Sequence, residues 1–246
     1  MMYRIDFVDL SHWDVDPIDF ALAKKAGCLG VIFKVTEDDN CVDPTYTSRK
    51  AAARRAGLLT GGYHFLRPGN MAAQAAWFLG NGQFDDADRI AIDHEDDSVS
   101  LDDLKAFIEA LQALGVTRKM ALYSGFLIKE QLDPDPGDPL LADLDLWLAQ
   151  YSSSPSWPSV TWPTVWAQQF TDGVSGPRPH HVPGIPGDSA GAIDINMGTV
   201  SRDELVASWS GGDAQPAPEP TPEPETQTIT ITIKAPAGTS IVVNAG

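Results

Sequence analysis

The chain has 246 residues, of which 43% are hydrophobic, a length and composition typical of a globular protein with one large core. Its 34 acidic and 17 basic residues give a formal net charge of −17, and so acidic a surface repels nucleic-acid phosphates and anionic lipid headgroups. We therefore expect no nucleic-acid partner and no membrane partner. No stretch approaches the roughly 18 apolar residues of a spanning helix, and the first residues lack the apolar segment of a secretory signal.

Two Asp-Pro pairs predict the first two helices. In each case we expect the aspartate to cap the helix, the proline to occupy its first position and a later glycine to end it. The first helix is expected from Asp16-Pro17 to Gly27, and the second from Asp43-Pro44 to Gly57.

Capping boxes predict two further helices, because a serine followed three residues later by an acid can satisfy the first backbone N–H groups of a helix. One helix is expected from Ser100, with Asp103 completing the box and Gly115 at its end. A last helix is expected from Ser201, with Glu204 in the same role.

Apolar segments between these helices predict eight short strands. Several are apolar on both faces, as strands covered by helices are. Eight strands that alternate with helices predict a closed β/α barrel of the TIM type. The later connections are short and rich in proline, so we expect the final strands to be irregular. The predicted strands lie around residue 8 and at 31–35, 62–65, 90–95, 120–123, 146–150, 165–170 and 193–195.

The composition divides the chain into a barrel at 1–210, a Pro/Glu-rich linker at 211–226 and a short β tail at 227–246. The linker is expected to be extended. The tail alternates β-branched residues around a turn, which predicts a β-hairpin. Because so short a hairpin cannot sustain a core alone, we expect it to dock on the barrel, self-associate or bind a partner.

Asp93 and Glu95 end the strand predicted at 90–95 and are the first catalytic candidates. Side chains alternate along a strand, so both carboxylates point to one face and His94 points to the other. Two carboxylates on one face repel, which raises the proton affinity of one of them and places an acid beside an anion. Glycosidic cleavage needs this combination, although a solvated strand end can show the same pattern.

Asp9 and Asp194 lie in the first and last predicted strands. Because these strands are neighbours in a closed barrel, we expect both acids to converge on the opening that holds Asp93 and Glu95. A carboxyl group in an apolar strand is costly to bury, and its alternative role is a structural hydrogen bond.

Aromatic and amide side chains near the same strand ends are candidates for substrate binding. Sugar rings present apolar C–H faces that stack on aromatic rings, while their hydroxyls seek amides and carboxylates. For each aromatic residue, packing in the core is the alternative. The candidates are Tyr63, Tyr123, Trp147, Trp166 and Gln168.

An ordered set of motifs resembles glycoside hydrolase family 25, the Chalaropsis-type lysozymes that include many phage endolysins. The motifs extend from Val8 to about Leu205 and so cover essentially the whole predicted barrel. One departure is TEDDN, where the family usually has Thr-Glu-Gly, so we expect a different loop after the second strand. In order, the motifs are VDLSHWD, VIFKVTEDDNCVDPTY, AAARRAGLLTGGYHF, IAIDHED, LYSG, LWLAQY, WAQQFTDG and AIDINMG.

The resemblance implies a flattened barrel whose final strands largely lack helices, and a muramidase that cleaves the β-1,4 bond between N-acetylmuramic acid and N-acetylglucosamine in peptidoglycan. It implies Glu95 as general acid/base and Asp93 as the partner that stabilises the 2-acetamido group or the developing positive charge. Asp9 and Asp194 match two further active-site acids, and Tyr63 a substrate-contacting tyrosine. The close spacing of Asp93 and Glu95 leaves no room for a water between their carboxyl groups, so we expect retention of configuration with acetamido participation.

Two other interpretations stay open. A metal-dependent hydrolase would use His64, Asp93 and His94, but strand alternation separates the last two, so we expect no metal and no cofactor. A non-catalytic carbohydrate-binding or virion protein would keep the barrel without turnover. The missing secretory signal fits a lysin held in the host cytoplasm until its release to the wall, with secretion as the alternative. Of the two cysteines, Cys28 is expected to be a buried thiol, and two are too few for a disulfide framework.

Overall fold

In the computed structural model, residues 3–212 form a barrel of strands surrounded by helices. The strands are β1 (Phe7–Leu10), β2 (Gly30–Glu37), β3 (Cys41–Val42), β4 (Leu59–Phe65), β5 (Arg89–Asp93), β6 (Ala121–Ser124), β7 (Asp145–Ala149), β8 (Ala167–Thr171) and β9 (Ile195–Gly198). The helices are α1 (Phe20–Lys25), α2 (Tyr46–Arg55), α3 (Met71–Gly82), α4 (Leu101–Ala113), α5 (Phe126–Gln131), α6 (Pro139–Ala142) and α7 (Arg202–Ala207).

The barrel closes because β1 pairs with β2 on one side and with β9 on the other. Seven of its strands run parallel, and β9 runs antiparallel to both β1 and β8. The short strand β3 pairs only with β2, outside the closed ring. No helix lies between β7 and β8 or between β8 and β9. The predicted barrel with irregular final strands is confirmed, and the reversed direction of β9 is its departure from an all-parallel TIM barrel.

Strand alternation separates two apolar layers. Phe7 points into the barrel, whereas Val8 and Leu10 point towards the helices. In β2, Ile32 points inward, and Phe33 packs in the layer under the helices. Each large apolar side chain buried in this way contributes roughly 1.5–3 kcal/mol, so the two layers together hold the strands in register.

The first two helices form where predicted, but they begin later than expected. Asp19 caps α1 by accepting from the N–H of Leu22 at 2.9 Å, while Asp16 pairs with Arg49 at 3.2 Å. Thr45 occupies the cap position of α2, and the buried Asp43 accepts from the backbone N–H of Thr45 and of His12. Asp16 and Asp43 therefore tie loops together and do not cap helices.

Both predicted capping boxes are confirmed. Ser100 and Asp103 exchange hydrogen bonds at the start of α4, and Ser201 and Glu204 do so at the start of α7. Helices α3, α5 and α6 were not predicted, and Asn70 caps the longest of them, α3, by accepting from the N–H of Ala73. Within residues 3–212, no helix is long and apolar enough to cross a membrane.

The amino ends of the strands close the barrel at a floor, defined here by Arg89, Trp166 and Trp209. The Arg89 guanidinium lies 4.3 Å from the Trp166 ring and pairs with Asp145 at 2.7 Å. The indole N–H of Trp209 donates to the Thr60 carbonyl at 2.8 Å. The segment after α7 is thereby fastened under the barrel.

The predicted linker begins at this floor. Lys119 N–H donates to the Gly211 carbonyl at 2.8 Å, so the first residue assigned to the linker still contacts the barrel. The rest of the linker and the hairpin predicted at 227–246 lie outside the described residues. Cys28 is a buried free thiol, as predicted, and Cys41 is an exposed one.

Candidate active site

The carboxyl ends of the parallel strands surround an open cavity of about 270 Å³, called the mouth below. It brings together all four predicted catalytic acids and three of the five predicted substrate-binding residues. The side chains that line it are Asp9, Tyr63, Asp93, Glu95, Tyr123, Trp147, Tyr151 and Asp194.

Asp93 and Glu95 both line the mouth, as strand alternation predicts, although β5 ends at Asp93 and not at Glu95. The backbone N–H of His94 donates to the Tyr123 carbonyl at 2.9 Å, which continues the pairing with β6 beyond the strand. The His94 side chain is buried on the opposite side, where its Nε2 lies 2.8 Å from Gln131 Oε1. The predicted separation of His94 from the two acids is confirmed.

Asp9 points into the mouth from β1. It accepts from the side-chain amides of Asn196 at 2.7 Å and of Gln169 at 3.2 Å. Burial raises the pKa of Asp9 to about 7, although both amides favour its charged form. Asp9 is therefore a carboxyl group that amides hold in place and that takes up a proton near neutral pH.

Asp194 reaches the mouth because β9 is antiparallel. Its position immediately before β9 lies at the same end of the barrel as the carboxyl ends of the parallel strands. Burial, together with the charge of Asp9, raises the pKa of Asp194 to about 9. The predicted convergence of Asp9 and Asp194 is confirmed, although Asp194 immediately precedes its strand and does not lie within it.

Asp93 and Glu95 differ in their surroundings. Asp93 is 6% exposed, and its Oδ1 is buried without a hydrogen-bond partner among the described residues. Burial, followed by the charge of Glu95, raises the pKa of Asp93 well above its ordinary value. Enclosure by the mouth also raises the pKa of Glu95, but Lys34 and Arg67 oppose that rise. Both carboxyl groups of the pair therefore hold a proton more readily than ordinary carboxyl groups, and Asp93 is the more deeply buried of the two.

An ionic chain flanks Glu95 on one side. Lys34 Nζ lies 2.5 Å from Glu37, and Arg67 binds both Glu37 and Asp96 at 2.7 Å. The Phe65 ring lies between the two cations, 4.9 Å from Lys34 and 4.6 Å from Arg67. Since Asp96 follows Glu95 directly, this chain holds the loop that carries the proposed general acid.

Tyr63, Tyr123 and Trp147 lie in the mouth as predicted. The Tyr123 hydroxyl donates to Gln169 Oε1 at 3.0 Å, and the Trp147 indole donates to Asn196 Oδ1 at 2.7 Å. Trp147 is only 1% exposed, so it forms the base of the mouth and offers little ring surface to a ligand.

Trp166 and Gln168 do not reach the mouth, which corrects the prediction for both. Trp166 precedes β8 and packs at the floor, with ring centres 5.5 Å from Phe7 and 5.9 Å from Trp209. Gln168 points outward from β8, and its amide donates to the carbonyls of Gln150 and Ser152. Because side chains alternate along the strand, Gln169 and not Gln168 points into the barrel.

Gln169 and Asn196 were not predicted as site residues, and Tyr151, an aromatic residue near the same strand ends, was left out of the substrate-binding candidates although it lines the mouth. Gln169 accepts from the Tyr151 hydroxyl at 2.9 Å and donates to Asp9, so it links the wall of the mouth to an acid. Asn196 links Asp9 to Trp147. Gln169 lies two residues after Ala167 in the same strand, so its side chain shares the interior face of Ala167. This spacing is the feature of the sequence that could have identified Gln169.

A metal site built from His64, Asp93 and His94 does not form. His64 is buried between Thr36 Oγ1 at 2.8 Å and Gln74 Oε1 at 3.0 Å, on the helix side of β4. Both histidines thus face away from the barrel interior into which Asp93 points. Across residues 3–212, no three His, Cys, Asp or Glu side chains are grouped as metal ligands.

Four carboxyl groups beside aromatic rings at the open end of a β/α barrel are an arrangement that suits glycoside hydrolysis, in which one carboxyl group donates a proton and another carries negative charge. A profile of Glycosyl hydrolases family 25 matches residues 8–177, and the chain belongs to this family.

Relatives agree with this assignment. Lysozyme M1 of Streptomyces globisporus is 36% identical over 77 residues, 30% of this chain and 26% of that protein. The N,O-diacetylmuramidase of a Chalaropsis species is 39% identical over 70 residues, 26% of this chain and 33% of that protein. The matches thus span a third or less of these two relatives. The crystal structure of a lysozyme from Streptomyces coelicolor superposes with a TM-score of 0.69 at 25% identity, covering 85% of this chain and 99% of that one.

Proposed function

We propose that the protein is a muramidase that hydrolyses the β-1,4 bond between N-acetylmuramic acid and N-acetylglucosamine in peptidoglycan. The observation that carries the proposal is the set of four carboxyl groups in one mouth, at least three of them with a pKa well above the ordinary carboxyl range. Such a site holds a proton at neutral pH beside groups that can carry negative charge. Relatives named lysozyme and muramidase support the choice of substrate.

Proton transfer in this proposal belongs to Glu95. In the resting enzyme the proton of the pair lies on Asp93, because Asp93 is more deeply buried and Glu95 faces Lys34 and Arg67. A sugar bound in the mouth covers Glu95 and excludes water, which raises its proton affinity. Positive charge developing at the anomeric carbon favours the ionised form of Asp93. Substrate therefore shifts the proton to Glu95, which donates it to the departing glycosidic oxygen.

Asp93 then acts on the 2-acetamido group. Its unpartnered Oδ1 is a ready acceptor for the acetamido N–H, and that hydrogen bond directs the acetamido oxygen towards the anomeric carbon. The C–O bond to the leaving sugar breaks as the acetamido oxygen bonds to the anomeric carbon. Water later opens the resulting ring and gives its proton to Glu95. Two displacements at one carbon retain its configuration, so the product is the β-anomer.

Digestion of purified peptidoglycan tests the proposal. We expect wild type to release fragments that end in reducing N-acetylmuramic acid, identified by mass spectrometry, and β-anomers by NMR. Glu95→Gln should keep the fold and lose activity by several orders of magnitude, since proton donation is removed. Glu109→Gln, the same change on the exposed side of α4, should behave as wild type.

Three outcomes would contradict the assignment. Reducing N-acetylglucosamine would indicate a glucosaminidase, and an α-anomer would exclude retention. Binding of peptidoglycan without turnover by wild type would instead support the non-catalytic carbohydrate-binding interpretation.

Self-association through residues 227–246 stays a prediction from the alternating β-branched pattern. Light scattering on the full chain and on a chain that ends at residue 212 tests it. A larger mass for the full chain alone supports it, and equal monomeric masses rule it out.

A further inference from the structure

Exposed aromatic side chains in this protein gather around the mouth. Among the large hydrophobic side chains exposed in residues 3–212, three are aromatic: Trp13 and Phe126 at 72% each and Tyr151 at 39%. Tyr151 lines the mouth itself, and the other two border cavities beside it. An exposed aromatic ring leaves apolar area in water, so rings concentrated at one place mark a binding surface.

On one side the mouth opens into a cavity of about 590 Å³ that Phe126 borders. This cavity shares Glu95, Tyr123 and Tyr151 with the mouth, so the two spaces are continuous. Phe126 is the first residue of α5, after Gly125. A Cβ at Gly125 would lie 2.8 Å from the Ala149 carbonyl, so the missing side chain lets α5 begin against β7 and places Phe126 over the cavity.

On the other side the mouth opens into a cavity of about 410 Å³ that Trp13 borders. Asp93 and Glu95 line both spaces. The Trp13 ring packs against His12 at a tilt of 37° with ring centres 4.6 Å apart, and His12 Nδ1 lies 3.0 Å from the buried Asp43. The Trp13 ring is therefore supported from beneath while most of its surface stays exposed.

We infer that these spaces form one groove and that Trp13 and Phe126 are stacking platforms for sugar rings on opposite sides of the bond that is cleaved. The occupant is an N-acetylated glycan strand that extends beyond the mouth in both directions, and this inference rests on the proposed muramidase function. Sugar C–H faces stack on aromatic rings, and neighbouring hydroxyls can bond the polar side chains between them.

The charge of the groove favours this occupant. Acidic side chains line its centre and its Trp13 side, including Asp14, Asp172 and Asp188 in addition to the catalytic acids. Such a lining disfavours densely charged polyanions, whereas the hydroxyl and acetamido groups of sugars carry no charge and can hydrogen-bond to its carboxyl groups. The other occupant to distinguish is the peptide that peptidoglycan carries, which would reach the same groove from a bound glycan.

Kinetics on two substrates tests the inference. On long, peptide-free glycan strands, Trp13→Ala and Phe126→Ala should each raise KM roughly tenfold with little change in kcat, because stacking holds ground state and transition state alike. Trp13→Tyr and Phe126→Tyr should restore KM. On the shortest cleaved oligosaccharide, at least one alanine variant should match wild type, because a short ligand cannot reach both platforms. Val160→Ala and Leu114→Ala, two exposed aliphatic positions outside the groove, serve as controls.

A binding measurement separates failure of this inference from failure of the proposed function. In a Glu95→Gln background, cosedimentation with purified peptidoglycan should weaken about tenfold when Trp13 or Phe126 is replaced by alanine. If wild type proves inactive but this weakening occurs, the groove stands and the muramidase proposal fails. If wild type is active but neither alanine variant changes KM or binding, the groove inference is overturned. It is also overturned if the effect disappears once the peptides are removed.

Discussion

Strand β5 carries two buried ionisable residues on one face, Arg89 at the floor and Asp93 at the mouth, about 13 Å apart at the usual rise of a strand. Arg89 is surrounded by groups that neutralise it: the Asp145 carboxylate, the carbonyls of Ser208 and Trp209, and an indole face. Asp93 is surrounded by other acids, and one of its oxygens has no partner among the described residues.

The difference shows what each end of the barrel is built for. A buried charge that an opposite charge and two carbonyls neutralise, with only its Nε unpartnered among the described residues, closes the floor and fastens the chain beneath it. Buried acids that repel one another keep protons at neutral pH and leave an oxygen free for a ligand, at a cost in stability. The floor therefore serves the fold, and the mouth serves the reaction.

Breaking the floor should have the largest effect on stability. Arg89→Met should lower the free energy of unfolding by about 3–5 kcal/mol, because it leaves Asp145 and two carbonyls without their buried partner. Urea denaturation measures this. Lys119→Ala is the matched control, since Lys119 pairs with the same Asp145 but is half exposed, and its loss should cost about 0–1 kcal/mol. Equal effects of the two changes would contradict the division between the two ends.

The same substitution at each end should give opposite results. Asp93→Asn should lower kcat by about 10²- to 10³-fold, as loss of one stabilising group does, while the free energy of unfolding stays level or rises. Asp145→Asn should destabilise the fold and leave the kcat of the folded enzyme unchanged. Parallel denaturation and turnover measurements check both, and a destabilised Asp93→Asn would show that its charge supports the fold.

Stability should fall as pH rises from about 4 to 9. The pKa of Asp9 is raised to about 7 and that of Asp194 to about 9, so the folded state keeps protons that the unfolded chain has already lost. Each retained proton adds a slope of about 1.4 kcal/mol per pH unit, and its contribution is lost once pH exceeds the folded pKa. Asp9→Asn should flatten the curve between pH 4 and 7. An unchanged slope would contradict a raised pKa at Asp9.

The smallest effect is expected from the ionic chain. Glu37→Gln removes the acid shared by Lys34 and Arg67, so both cations act more strongly on Glu95 and lower its pKa. The alkaline limb of the kcat/KM profile should move to lower pH by less than about one unit. Asp39→Asn, which changes an exposed acid two residues after Glu37, is the control. A shift to higher pH would contradict the assigned direction.

Sequence reasoning succeeded where one local pattern decides a position. The i+2 spacing of Asp93 and Glu95 sets their common face, and the capping box at Ser100 depends only on neighbours. It failed where a position depends on strands far apart in sequence. To decide whether Gln168 or Gln169 points into the barrel, one must know which alternate residues of β8 face the interior. The pairing of β8 with β9 also shifts register between Gln169 and Thr171.

Caps and aromatics show the same limit. Asp16 has the sequence features of a cap, but its carboxylate binds Arg49 across the fold, so Asp19 takes the role. Trp166 immediately precedes a strand that lines the barrel, yet its height along the barrel axis decides whether it meets substrate or Arg89. A side chain's height along a barrel axis is set by closure of the whole sheet, which no short window of sequence contains.

The contact between Gly211 and Lys119 sets the direction in which the enzyme can be tethered. Gly211 lies beside the amino ends of the strands, on the side opposite the catalytic acids. A chain shortened to residue 212 and immobilised through that residue should therefore be held by its floor, with the mouth turned towards an insoluble substrate.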